Sequence, residues 1–391
     1  MTTSTKVKNV PQLRFKEFSN EWQEQKLEDI ATFLDGHRVP LSKPERQERQ
    51  GIYPYYGASG IIDYVDDYIF DGEYVLLGED GANIIARNSR LAFIAHGKIW
   101  VNNHAHVLQA EGSNYFLAEY LERLSYEDYN TGTAQPKLNA SVCKKILVNL
   151  PSRGEQKKIA DFLAIVDQKI TAIELRRSLL KKYEEVVSRS IFAQEIRFKN
   201  AGDRPYLNWK ESKLSNFLSV ASKEKVTDID KARILTVKLH RKGIFLSTNT
   251  DSLKIGATTY YRRNAGDLIY GKQNLFNGAL AIVPDEFDGC VSSGDIPSLK
   301  IKDAVIDARF LIFYIGRKSY YKKLESVASG SGSKRIHEST LLGQKIKAPS
   351  LEEQQKIAEF LTFLNNKISL TESELEEAKN FKKALLQQML V

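Results

Sequence analysis

The chain reads as an α+β protein: two tandem globular domains with mostly antiparallel, twisted sheets, separated by two long helices that pair as an antiparallel coiled coil, the whole an internal pseudo-two-fold repeat. Three observations predict this. The segment EQKKIADFL at 155–163 returns as EQQKIAEFL at 353–361, a shift of 198 residues in a chain of 391, and such self-similarity sets the architecture before any local element is assigned. Each copy of the segment opens a stretch with apolar residues in a 4-3-4-3 rhythm. Ahead of each stretch lie short β-type runs punctuated by glycine-rich turns.

Taken in order, residues 1–150 form the first domain. Arg14-Phe15-Lys16 opens it, and Trp22 begins a WxxxKL pattern that ends at Leu27. Tyr74–Leu77, Leu91–Ala95 and Ile99–Val101 read as strands, and a helical stretch falls near 115–128. A small polar loop runs from Gly132 to Asn139. Residues 151–195 form the first long helix, with Pro151 as a stop signal and Ser152 as a candidate cap. Its seam is Ile159, Leu163, Val166, Ile170, Ile173, Leu180, Val187 and Ile191, interrupted by Arg177 and Glu184. Residues 196–348 repeat the domain: Arg197-Phe198-Lys199, Trp209 with Leu214, runs at Leu268–Tyr270 and Ala279–Val283, a helical stretch near 307–325, and the loop from Gly330 to Arg335. Residues 349–391 repeat the helix after Pro349 and Ser350, with seam residues Ile357, Leu361, Leu364, Ile368, Leu375 and Leu385, then Met389. Thr371 and Lys382 break that seam. At 1.5 Å per residue, about 37 helical residues extend about 55 Å. A narrow a/d stripe suits a helix partner better than a sheet, so the two seams are expected to face one another; the alternative is that each helix merely packs on its own module.

The net charge of +8 is uneven. Residues 1–154 hold 17 Lys/Arg against 20 Asp/Glu, whereas 196–350 hold 27 against 15, the balance of a module that meets a polyanion. Two cysteines, Cys143 and Cys290, sit in different copies and form no framework, which points to a reduced, cytoplasmic setting. The first residues lack the apolar core of a signal peptide, and no apolar run reaches membrane-spanning length.

Loops rich in Arg, Lys, Asn, Gln and Gly have the side chains that read base edges and phosphates. In the first domain the candidates are Tyr55, Asn83, Arg87, Asn103, Gln135, Lys137 and Asn139. In the second they are Arg262, Arg263, Lys272, Gln273, Asn274, Lys334, Arg335 and His337. Signatures of chemistry are missing. Gly266–Lys272 spells GxxxxGK but lacks the following Ser or Thr and has a β-type interior. His104 and His106 alternate without a third ligand at metal spacing, and no CxxC or HExxH occurs. No catalytic residue and no metal ligand is assigned.

Trp22 with Lys26-Leu27, the loop Gly132-Thr133-Ala134-Gln135-Pro136-Lys137-Leu138-Asn139, Leu150-Pro151 and Glu155–Ala160, with their second-copy partners at Trp209, Gly330, Pro349 and Glu353-Gln354, together resemble the specificity subunit of type I restriction-modification systems. The resemblance covers nearly the whole chain. It implies two target-recognition domains, each reading one half of a bipartite, asymmetric double-stranded DNA target, with the paired helices fixing the spacer and docking two modification subunits. The chain itself would carry no cofactor. Its partners would use S-adenosylmethionine for adenine methylation, and ATP and Mg for a restriction motor and nuclease. The second copy departs at Gly330-Ser331-Gly332-Ser333-Lys334-Arg335, where the first has the Gln-Pro-Lys-Leu-Asn form. Two other readings compete: a non-catalytic coiled-coil scaffold without sequence-specific DNA binding, and a self-sufficient nuclease or methylase.

Overall fold

The repeated sequence marks build the same frame twice. In the computed structural model, which describes residues 10–132, 134–226, 232–247, 258–330 and 333–391, the chain divides into two compact units, Met1–Leu175 with Glu372–Val391, and Arg176–Thr371. Thr133, Ser331 and Gly332 of the polar loops lie outside the described residues. In the first unit the strand Gln23–Lys26 pairs antiparallel with Leu147–Leu150. In the second, Lys210–Lys213 pairs in the same way with Lys345–Ala348. Each pairing joins the two ends of a globular module, so whatever lies between behaves as an insertion in a closed frame.

The side chains that recur in sequence are the ones that tie this frame. The Arg14 guanidinium meets the buried Glu155 carboxylate at 2.7 Å, and Arg197 meets the buried Glu353 at 2.8 Å. The next residue, Phe15 or Phe198, packs edge-on against Phe162 or Phe360, with ring centroids 5.9 and 5.8 Å apart. The Gln156 amide donates to the Pro151 carbonyl at 3.0 Å, and Gln354 donates to that of Pro349 at 3.0 Å. The oxygens of these amides accept from the backbone N–H of Ser113 and Asp307, the caps of the helices Asn114–Arg123 and Ala308–Ile315. Trp22 and Trp209 pack on Phe116 and Phe310 of those same helices, both at 5.8 Å. The Glu-Gln pair and the Arg-Phe and Trp marks are thus one structural joint, a charge-assisted hydrogen bond, an aromatic pair and a bidentate amide.

Within the frames the sheets differ. The first unit holds a six-stranded sheet in the order Ala31–Phe33, Ala105–Ala110, Phe70–Gly78, Ala92–Val101, Gln50–Gly57 and Gly60–Val65. All neighbours are antiparallel except Gln50–Gly57 with Ala92–Val101. The runs at 91–95 and 99–101 belong to one continuous strand, and the pair 50–57 and 60–65 forms strands where the sequence suggests a loop. The second unit divides its strands among a four-stranded sheet, a three-stranded sheet and the hairpin Leu235–Val237 with Ile244–Leu246; the strand pairs are antiparallel, and an isolated parallel bridge joins Ile234 to Val291.

Single helices run from Arg153 to Phe192 and from Leu351 to Met389. Ser152 accepts from the Glu155 N–H, the capping role its position predicts. In the first unit Lys382 reaches Asp167 at 2.8 Å while Lys379 reaches Glu174 at 2.7 Å, so numbers rise along one helix as they fall along the other. That is an antiparallel pair. Leu385 and Met389 share one core with Ile159 and Leu163. In the second unit Ile191 and Phe192 share a core with Ile357, Ala358 and Leu361. Ile159, Leu163, Ile173, Ile357, Leu361, Leu364, Leu375 and Leu385 are buried, while Val166, Ile170, Leu180, Val187 and Ile368 are half-buried. The polar breaks have partners: the Thr371 hydroxyl donates to Lys367 O at 2.8 Å, and the Lys382 ammonium lies between Asp167 and Glu119. Among the described residues no helix is long and apolar enough to cross a membrane.

Candidate nucleic-acid interface

In the first unit the polar loop folds on itself and then docks. The Thr131 N–H donates to Lys137 O at 2.8 Å, and the Asn130 side chain accepts from the N–H of Gly132 and of Lys137. A Cβ at Gly132 would lie 1.8 Å from Gln135 O, so the turn admits no other residue. The loop lies along the turn after the strand Phe70–Gly78: Leu138 N–H donates to Glu79 O at 2.7 Å and Gly81 N–H to Pro136 O at 3.0 Å. Lys137 pairs with Glu79 at 3.5 Å. The adjoining turn brings His104 to Asp80 at 2.8 Å and leaves Asn103 exposed. Asn139 donates to Thr131 Oγ1 at 2.8 Å. Asn103, Gln135, Lys137 and Asn139 therefore gather on one face, with Asn83 at its margin, where its amide is turned back onto Ser89.

The second unit repeats the device. Ser329 and Arg335 exchange backbone hydrogen bonds of 2.9 and 2.8 Å, and Ile336 N–H donates to Lys272 O at 2.9 Å. A Cβ at Gly330, where φ is +121°, would meet Ser333 O at 2.5 Å. With its amide oxygen turned to Arg335, Gln273 accepts from Nε at 3.2 Å and Nη2 at 2.8 Å, and Asp295 holds the same guanidinium at 3.4 Å. Lys272 pairs with Glu338 at 3.2 Å, and Lys334 with Glu325 at 3.0 Å. His337 is exposed at the start of the helix Glu338–Leu342. Lys272, Gln273, Asn274, Lys334, Arg335 and His337 share this neighbourhood.

Three candidates need correction as surface readers. Tyr55 is 1% exposed; its hydroxyl accepts from Leu41 N–H at 2.8 Å, so it is a core residue. Arg263 is 3% exposed and donates to Ser292 Oγ and Ile296 O at 2.7 and 2.8 Å; burial pushes its guanidinium down to about 10. Arg87 hydrogen-bonds the Glu122 carbonyl and pairs with its carboxylate at 3.0 Å, an internal staple. Arg262, by contrast, is exposed on the three-stranded sheet, where it pairs with Glu224 at 2.9 Å. In each case the partner is distant in sequence, so composition alone could not reveal it.

Another basic element joins the second face. The turn of the hairpin 235–246 carries Lys238, His240 and Lys242, with His240 and Arg241 at φ of 57° and 58°. His240 and Arg241 N–H groups donate to Asn277 O and Gly278 O at 2.9 and 2.8 Å, which fixes the turn beside Asn274. An open concavity of about 530 Å³ is lined by Lys238, His240, Lys242, Phe245 and Asn274. The signal available in sequence was a Lys-Leu-His-Arg-Lys-Gly run leading into a β-type segment.

His106, which the sequence does not support as a metal ligand, is fully buried and clamped at both ring nitrogens: Nδ1 lies 2.6 Å from Asp35 and Nε2 lies 2.8 Å from Leu138 O. Two acceptors require two donors, so the ring is an imidazolium. Burial alone would lower its pKa; the Asp35 carboxylate and the neighbouring Cys143 more than reverse this and raise it to about 10. Cys143, His106 and Asp35 outline a nucleophilic constellation, but Cys143 and His106 are both closed to solvent and Nε2 is committed to a carbonyl. Among the described residues no group of three His, Cys, Asp or Glu side chains is placed to hold a metal.

A chain that holds one frame twice and varies the side chains on it has the organisation of a recognition subunit. The family described as the type I restriction modification DNA specificity domain matches residues 19–182 and again 184–380, and the chain belongs to that family. Its role is accordingly that of a non-catalytic DNA-recognition subunit of a type I restriction-modification system, and the scaffold without DNA binding is not favoured. The MjaVIII specificity subunit of Methanocaldococcus jannaschii is 22% identical over 411 residues, covering 98% of this chain and 96% of that one. A type I restriction enzyme specificity subunit of Haemophilus influenzae is 33% identical over 145 residues, only 37% of this chain and 36% of that protein. The crystal structure of an S subunit from M. genitalium shares the fold with a TM-score of 0.65 at 13% identity, over 98% of this chain and 99% of that one.

Proposed function

We propose that each unit reads one half of a split, asymmetric double-stranded DNA target through its docked polar loop, and that the helix pair fixes the unread spacer. In the first half the contacts come from Asn83, Asn103, Gln135, Lys137 and Asn139. In the second they come from Lys272, Gln273, Asn274, Lys334, Arg335 and His337, joined by Lys238 and Lys242. The observation that carries this reading is the recurrence of one loop-on-turn frame with different side chains: Glu79 and Asp80 stand where the other unit has Lys272 and Gln273. In the first unit these carboxylates hold Lys137 and His104, whereas in the second Gln273 holds Arg335 and Lys272 pairs with Glu338, so the same slot orders a different set of reading side chains.

Two modification subunits carrying S-adenosylmethionine would methylate an adenine in each half, in the cytoplasm, and restriction subunits using ATP and Mg would complete the nuclease. Docking of the modification subunits falls to the outer faces of the helices. On the first helix Leu175, Leu179, Tyr183 and Val186 follow a 4-4-3 spacing and are 60, 57, 51 and 42% exposed. An apolar stripe of that kind is where a partner helix packs. Tyr183→Glu should weaken capture of the modification subunit by roughly tenfold or more while the thermal midpoint stays put. Unchanged capture would remove the stripe from the interface.

The functional test is a map of methylated adenines in a methylation-free host that expresses the chain with its modification subunit. A split motif is expected, lost when the chain is omitted. A hybrid with residues 1–150 replaced should change one half of that motif only; identical half-sites after the exchange would sink the proposal.

A further inference from the structure

The two loops are latched to their sheets by the same carbonyl and by different donors. In the first unit His106 Nε2 reaches Leu138 O at 2.8 Å. In the second the Tyr270 hydroxyl donates to Ile336 O at 3.2 Å. Leu138 and Ile336 are equivalent by three independent marks. They stand 198 residues apart, the shift of the repeat. Each donates its own N–H across to the turn carbonyl, of Glu79 in one unit and Lys272 in the other. Each is a fully buried aliphatic side chain just before a short helix, Ala140–Cys143 or Glu338–Leu342.

The donors come from different places. His106 lies on the strand Ala105–Ala110, while Tyr270 ends the strand Leu268–Tyr270, and both are fully buried. A donor is therefore supplied to that carbonyl in both units, although the two modules have otherwise exchanged their contents. An unmatched buried carbonyl would be costly, and local strain would release the loop from its dock. The backbone on either side carries the exposed readers: Gln135, Lys137 and Asn139 flank Leu138, and Lys334, Arg335 and His337 flank Ile336.

We propose that His106 and Tyr270 are positioning residues for DNA reading: each fixes the height and register of its unit's loop through the Leu138 or Ile336 carbonyl, without touching DNA. This rests on the reading of those loops as the DNA contacts. The latch keeps its place in both units and changes its chemistry, which lets the reading side chains diverge while the loop backbone stays where the target requires it.

Tyr270→Phe removes only the hydroxyl and keeps the ring in its core, so it is the variant of choice; His106→Asn, whose amide replaces Nδ1 beside Asp35 but is too short to reach the Leu138 carbonyl, is its counterpart in the first unit. Two measurements are made on the full chain in complex with its modification subunit. The first is amide hydrogen exchange, in which Tyr270→Phe should speed exchange at Arg335 and Ile336 roughly 3- to 10-fold and leave 130–139 unchanged, the loss of one net hydrogen bond. Unaltered protection of 333–337 overturns the latch. The second is competition between duplexes carrying the mapped target intact or with one half scrambled. Discrimination at the half assigned to the second unit should fall by a similar factor, with the other half untouched, and His106→Asn should show the mirror pattern. Equal loss at both halves marks a merely structural residue and overturns the proposal. Faster exchange with full discrimination at both halves leaves the latch standing as a loop anchor and overturns these loops as the readers, so the two failures are separable.

Discussion

At the scale of single residues the sharpest consequence concerns protonation. His106 is packed among Asp35, Arg38, Glu79, Cys143 and the Phe33 ring, and Asp35 is held below its usual range by the same pairing against the cost of its burial. A histidine whose folded pKa is raised from 6.5 to about 10 stabilises the fold fully below the unfolded value, and that contribution is lost as pH rises toward the folded one. Wild type should therefore hold a constant lead over His106→Gln in thermal midpoint below about pH 6.5, and the lead should shrink between about pH 6.5 and 10. Thermal unfolding of both chains at pH 6 and pH 9.5 measures it; a lead that grows with pH would mean the ring is neutral. Residue character was legible in sequence only where a side chain meets solvent. Gln135, Lys137, Lys334 and His337 are readable because loop residues of that type are exposed, whereas Tyr55 and Arg263 look identical in composition and are claimed by Leu41, Ser292 and Ile296.

At the scale of elements the long helices were the most legible part, because heptad spacing is a local signal that needs no knowledge of the partner. Their polar breaks were not interpretable in the same way: Lys382 makes sense only beside Asp167 and Glu119, which lie more than 200 residues away in sequence. The joint at each helix start yields a test of strength. Arg14→Ala would strand the Glu155 carboxylate, which is 1% exposed, and breaking a buried pair by removing one partner costs about 3 kcal/mol. Denaturant unfolding should show that loss, and Arg14→Ala with Glu155→Ala together should lose less than the two single changes added. Strict additivity would mean the two groups do not interact. Arg197 and Glu353 should behave alike in the second unit.

For the whole molecule, charge is divided unevenly across the repeat. Both units carry the frame, yet residues 196–350 hold 12 more positive than negative side chains while 1–154 hold 3 fewer. On the first loop face Lys137 and His104 are matched by Glu79 and Asp80. On the second face Lys272, Lys334 and Arg335 are matched in the same way by Glu338, Glu325 and Asp295, and the hairpin turn adds Lys238, His240 and Lys242. If affinity for DNA comes from counterion release and discrimination from base edges, the second unit supplies most of the salt-dependent term and both units supply sequence reading. Replacing Lys238 and Lys242 by alanine should then weaken binding of the complex about equally to matched and scrambled duplexes. Every phosphate that a lysine neutralises adds about 0.9 to the steepness of log K against log salt, so without this pair the slope should be shallower by about 2. Titrations between roughly 50 and 200 mM salt, with the intact target and with either half scrambled, measure both quantities. An unchanged slope would take the hairpin turn off the phosphate backbone. A loss confined to one half-site would make these lysines base readers and move the source of affinity elsewhere on the basic unit.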